Sequence, residues 1–249
     1  MKKNITVEVC ANSVESALAA QSGGAHRVEL CSSLSEGGIT PSYASIEIAR
    51  KRLSIRLNVL IRPRGGDFLY TDLEFELMKR DIEVCKNLGV DGVVIGILDE
   101  NGNIDTTRTM DLIRIARPMS VTFHRAFDMA NDPFVALSDL IRLGVDRLLT
   151  SGQKDKVTDN LPLIKKLVDL SGGSVSIMPG GGISSQNIQN IILSTNVLEC
   201  HMTGKKDIPS RMKYKNPEVS MGDNHELPEY ATSVTDAEEI RRIVSLVSN

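Results

Sequence analysis

The sequence predicts an α/β protein, a single (β/α)8 TIM barrel over residues 1–249 with a long loop after its eighth strand. Short apolar runs recur about eight times, each followed by an amphipathic stretch. This alternation implies parallel strands joined by right-handed crossovers. Polar and glycine-rich clusters follow most of the runs, at the strand ends where such barrels keep their working residues. The chain has 249 residues, close to the roughly 250 typical of the fold. An open doubly wound sheet is the alternative, but no Gly-x-Gly-x-x-Gly follows the first strand.

The first strand is read at residues 6–10, with a helix starting near Ser13, a capping residue. The second covers 26–31, and its helix follows Thr40-Pro41, where proline suits a first helical position. The third, 57–61, leads to a long helix from about Leu73 to Leu88 that stops at Gly89. Strand four is 92–95 with a helix over 106–116. Strand five is 120–124 with a helix over 133–143. Strand six is 147–150 with a helix over 161–170, and strand seven is 175–178 with a helix over 185–193. The eighth strand is 197–201, and a last helix runs over 236–247. Residues 204–235, between those last two, are polar and rich in Lys, Pro, Asn and Gly. A loop of this length is usually functional or a mobile surface segment. Placed after the eighth strand, it is a candidate cover for a site.

A net charge of −3 gives no footprint for nucleic acid or a basic membrane surface. Glu8 interrupts any apolar signal region, and no apolar run is long enough to span a bilayer. The expectation is a cytoplasmic protein. Cys10, Cys31, Cys85 and Cys200 are widely spread, without a Cys-x-x-Cys pair, so neither a disulfide framework nor a structural zinc site is expected. Cys85 falls in a helix and reads as packing, and His26 and His225 read as surface residues.

Ile61-Arg62-Pro63-Arg64-Gly65-Gly66-Asp67-Phe68 stands out among the strand ends. The turn needs its glycines. It does not need two guanidinium groups, which are suited to gripping phosphate or carboxylate. Glu8 and Cys10 share one parity on their strand, as do Glu29 and Cys31 on theirs, so each pair points to one side. If both face inward, two carboxylates and two thiols meet in the barrel mouth. They then need the arginines, a metal or protons to be tolerated. The bland reading of Cys10 and Cys31 is small apolar core.

His124-Arg125-Ala126-Phe127-Asp128 supplies an imidazole for proton transfer with Asp128 as its orienting partner, or a hydrogen-bonded structural histidine. His201 is a second imidazole at the eighth strand's end. Gly180, Gly181 and Gly182, after strand seven, bring backbone N–H groups toward an anion, or simply make a sharp turn. Ser151 belongs to the matching cluster after strand six.

With these residues in place, the chain resembles the CutC family, named for copper homeostasis. The resemblance runs from about Thr6 to Met221. It rests on Glu8-Val9-Cys10, Val28-Glu29-Leu30-Cys31, Leu34-Ser35-Glu36-Gly37-Gly38, residues 61–68, residues 122–128, Leu149-Thr150-Ser151-Gly152 and residues 178–182. It implies a TIM barrel, a cytoplasmic location, self-association as a homodimer, and a copper-linked role with Cys10 and Cys31 as the Cu(I) positions. Soft thiolates favour Cu(I), and an imidazole, from His201 or His124, can assist.

Two function classes follow. One is a copper-homeostasis protein holding Cu(I) on Cys10, Cys31 and His201. The other is a lyase- or isomerase-type enzyme for an anionic metabolite. Arg62, Arg64, Arg125, Ser151 and Gly180 to Gly182 would hold its anion, and His124, Glu8, Glu29, Asp67 and Asp128 would serve its proton chemistry. A purely structural role gives no reason for charged residues at one end of a barrel.

Overall fold

The computed structural model describes residues 5–219, 221 and 229–248, so His225 lies outside the described residues. The eight expected strands form one parallel sheet: β1 (Thr6–Ala11), β2 (Arg27–Leu30), β3 (Arg56–Leu60), β4 (Gly92–Ile95), β5 (Ser120–Phe123), β6 (Arg147–Thr150), β7 (Ser176–Pro179) and β8 (Glu199–Met202). Neighbours in space follow chain order, with β8 beside β1. A parallel bridge from Gly180 to His201 closes the ring between β7 and β8. The helices are α1 (Val14–Ser22), α2 (Tyr43–Arg52), α3 (Asp72–Asn87), α4 (Thr106–Ala116), α5 (Pro133–Leu143), α6 (Leu161–Ser171), α7 (Ile188–Thr195) and α8 (Ala237–Ser248). The protein is a (β/α)8 barrel.

Local chemistry sets the helix bounds. Ser13 caps α1 by accepting from Ser16 N–H. Thr71 and Glu74 form a reciprocal capping box on α3. Pro133 opens α5, and Gly144, at φ 73°, closes it in the left-handed region. Two starts differ from expectation. Ser42 rather than Pro41 delimits α2, because the Ser42 hydroxyl accepts from Ser45 N–H. Asn187 Oδ1 accepts from Ser184 N–H in a local turn, so α7 begins at Ile188 rather than near Ser185.

Strand parity divides the side chains into two sets. Val7, Val9, Val28, Leu30, Leu57, Val59, Val121, Phe123 and Leu148 belong to the main core between sheet and helices. Burying a side chain such as Phe123 there contributes about 1.5–3 kcal/mol. The opposite parity faces the barrel axis. Cys10, Cys31, Leu60 and Val94 form a separate small apolar cluster there. Below it the interior is ionic rather than aliphatic. Arg27 pairs with Glu8 and Glu199, and Arg147 Nε reaches Glu199 Oε2 at 2.9 Å. Ser176 Oγ donates to Glu199 at 2.9 Å, and Asn58 Nδ2 to Glu8 at 3.2 Å. Side chains from six strands thus share one network.

Residues 204–235 are not a structureless loop. They contain an antiparallel hairpin, β9 (Lys205–Pro209) with β10 (Ala231–Thr235). It leans on the start of α1: Asn12 Nδ2 donates to Ser233 O, and Thr235 N–H to Ser16 Oγ. None of its described residues lines the central cavity, so the expected cover is not seen among them. Among the described residues no helix is long and apolar enough to cross a membrane.

Candidate functional site

A cavity of about 420 Å³ opens at the C-terminal ends of the strands. Cys10, Glu29, Arg62, His124, Arg125, Asp128, Gly181, Gly182 and His201 border it, among apolar residues such as Leu34, Leu60, Phe68 and Leu149. The structure therefore brings together many of the residues singled out from sequence, on two unlike sides.

One side carries thiols and carboxylates. Cys10 Sγ lies 3.4 Å from Cys31 Sγ, and both thiols are buried. Cys10 also groups with Glu29 and His201, their ligand atoms all within 4.8 Å of one another. His201 Nδ1 is 2.8 Å from Glu8 Oε1 and 3.4 Å from Glu29 Oε2. Glu8 is fully buried beneath the cavity rather than in its wall. Burial alone would raise its pKa, but the Arg27 charge and the His201 hydrogen bond hold it down at about 2. Among the described residues Glu29 has no guanidinium in ion-pair range, and burial, with the Glu8 charge, pushes it up to about 7 against the opposing charges of His201 and Arg27. For His201, burial works downward, but the charge of Glu29 and the hydrogen bond to Glu8 carry the pKa above its usual value. The Cys10 thiol is held well above its usual range, first by its hydrogen bond with Cys31 and then by burial. Cys10 is therefore a protonated thiol near neutrality, beside the Glu29 carboxyl group.

The other side carries cations and a donor. Arg62 is 5% exposed. Its Nη1 donates to Glu36 O at 2.7 Å and Gly38 O at 2.8 Å, and its Nη2 to Gly66 O at 2.8 Å. It gathers two loops at the mouth, and its guanidinium lies 5.0 Å over the Phe68 ring. Phe68 also contacts His124, ring centroid to ring centroid 5.1 Å. His124 Nδ1 accepts from Ala126 N–H at 3.0 Å, which puts the ring proton on Nε2. Burial and then the Arg62 charge depress its pKa to about 3. His124 is thus a fixed, neutral donor, not a base poised near neutrality.

Other predicted residues serve the scaffold. Arg64 donates to Glu74, Asp67 and three backbone carbonyls, and neither Arg64 nor Asp67 borders the cavity. Asp128 accepts from Arg125 Nε, Thr150 Oγ1, Ser151 N–H and Oγ, and Gln153 N–H. Asp128 so engaged ties the loop after β6, and it takes up the Ser151 N–H and hydroxyl. Arg125 stays in the cavity wall while also donating to Ser151 Oγ and Lys154 O. Gly180 packs against Leu149 and His201 behind the wall that Gly181 and Gly182 form. Arg27, Asn58 and Glu199 were not singled out from sequence. The parity that marks Glu29 and Cys31 also marks Arg27 as inward, and that signal was there to be used.

This fold and site define a class: a (β/α)8-barrel protein whose strand ends carry a thiol–imidazole–carboxylate cluster suited to a soft metal and facing a cationic wall. The chain belongs to the CutC family, whose profile matches residues 5–206. It is 46% identical over 243 residues to the copper homeostasis protein cutC homolog of Homo sapiens, covering 98% of this chain and 89% of that one. It is 46% identical over 248 residues to a family protein CutC of Bacteroides thetaiotaomicron, covering 99% of this chain and all of the other. The crystal structure of a copper homeostasis protein CutC from Streptococcus agalactiae superposes with a TM-score of 0.77 at 36% identity, covering 80% of this chain and 98% of that one. Phosphoribosylanthranilate isomerase from Thermotoga maritima, at 14% identity and a TM-score of 0.59 with 98% of each chain covered, shares the fold alone.

Proposed function

We propose that this chain is a cytoplasmic copper-homeostasis protein that takes up Cu(I) at the barrel mouth on Cys10 and Cys31, with His201 as the third donor. Copper here is cargo. The observation that carries the reading is the contact between two buried thiols, 3.4 Å apart, beside an imidazole and a carboxyl group in the cavity wall. Soft thiolates and an imidazole select Cu(I) over harder ions. Binding requires each thiol to lose its proton; Glu29, grouped with Cys10, stands where it can receive one, and the other passes to solvent. The family resemblance supports a homodimer as the working form.

Titration of the reduced protein with Cu(I) against a competing chelator tests this. Tight, stoichiometric binding is expected, lost in Cys10→Ser/Cys31→Ser while the circular dichroism spectrum is unchanged. Undiminished binding by a folded double variant would sink the reading.

A further inference from the structure

The cationic side of the cavity has no part in holding copper, yet it is built with care. Arg62 is a buried guanidinium, and among the described residues its hydrogen-bond partners are carbonyl oxygens, with no carboxylate in ion-pair range. A buried charge without a counter-charge is costly. Among the described residues His124 Nε2–H has no hydrogen-bond partner, and the residue is 5% exposed in the same wall. Its ring cannot easily turn away. A Cβ at Gly96 would lie 2.3 Å from the His124 ring, so the ring lies directly on the end of β4, with Phe68 against its other neighbours. Arg62 and His124 thus both lie against Phe68, a cation and an unmet donor beside one aromatic ring.

We propose that this wall binds a small organic carboxylate, its anionic group taken by the Arg62 charge and the His124 Nε2–H and its apolar body lying against Leu34, Leu60 and Leu149. A carboxylate fits because the Arg62 charge and the neutral His124 donor stand beside an apolar pocket, which suits a planar two-oxygen anion on a hydrocarbon body. Part of the loop backbone that could surround a phosphate is already used: Asp128 fills the loop after β6, and Asn187 accepts from Ser184 N–H ahead of α7. The inference does not depend on the copper reading, since Arg62 and His124 are not among the residues that hold copper in it.

The test uses the whole, reduced, copper-free chain with acetate, butyrate and hexanoate, the matching alcohols, and inorganic phosphate as probes. Melting temperature is followed together with the ¹⁵N NMR signal of the His124 imidazole, assigned by its absence in His124→Asn. Butyrate and hexanoate at about 10 mM should raise the melting temperature, the alcohols should not, and the Nε2 signal should move in step with occupancy. Arg62→Gln should weaken binding by about tenfold or more. Because that change also removes loop contacts, the wild-type NMR shift carries the test if the variant does not fold. Cys10→Ser/Cys31→Ser should bind carboxylate as the wild type does, which separates this site from the copper site. Stabilisation by phosphate without carboxylate would overturn the ligand class. Carboxylate binding that leaves His124 unmoved would overturn the placement, and no response to any carboxylate would overturn the site.

Discussion

His124 is neutral inside the wall, and that has a pH signature. Its folded pKa is about 3, against about 6.5 for an unfolded histidine. Above the unfolded value neither state is charged and nothing is lost. As pH falls from about 6.5 toward 3, the unfolded chain takes up a proton that the folded one refuses, so stability declines through that window. The slope contributed by this residue approaches about 1 kcal/mol per pH unit. His124→Asn keeps an acceptor for Ala126 N–H and removes the titration. Urea unfolding at a series of pH values should show a shallower acid decline in the variant, and identical slopes would mean that the imidazole is not held neutral. From sequence His124 was legible as a site residue but not in this role, because the tautomer depends on a backbone N–H two residues on. Glu29 and Cys10 were legible through strand parity. Arg64 and Asp67 lie outside the cavity, while Asp128 borders it and also ties the loop after β6: charged groups near a strand end look alike in sequence whether they face a cavity or tie a loop, and only their surroundings in the fold distinguish them.

At the scale of elements, the strands were legible because each is a short apolar run whose alternate residues pack on the helices. Helix ends were legible where a single residue decides them, as at Ser13, Gly89 and Gly144. Ends decided by competing side-chain turns, such as the Asn187 turn before α7, were not. The β9–β10 hairpin was missed because its strands are polar and largely exposed. Its order comes from backbone pairing and the lean on α1, which hydrophobic patterning does not register. The capping box on α3 gives a local prediction. Thr71→Ala removes the acceptor for Glu74 N–H and is expected to cost about 1 kcal/mol. Chemical denaturation should show that loss, and a loss near zero would mean that α3 is held by packing alone.

At the scale of the molecule, Arg27 joins β1, β2 and β8, and through Glu199 reaches β6 and β7. Replacing it by methionine leaves Glu8 and Glu199 buried without their main counter-charge, which is expected to cost about 3–5 kcal/mol. A midpoint shift in urea tests this, and a variant as stable as the wild type would show the network to be dispensable. The same network has a kinetic meaning. It fills the barrel below the thiols with charged and polar side chains from six strands, so the interior is a cup with one rim and no drain. Whatever enters must leave by the way it came, and two occupants held by different residues must share one doorway. Traffic through this protein is therefore set at its lip, in the loops that Arg62 gathers, rather than by flow along the barrel axis.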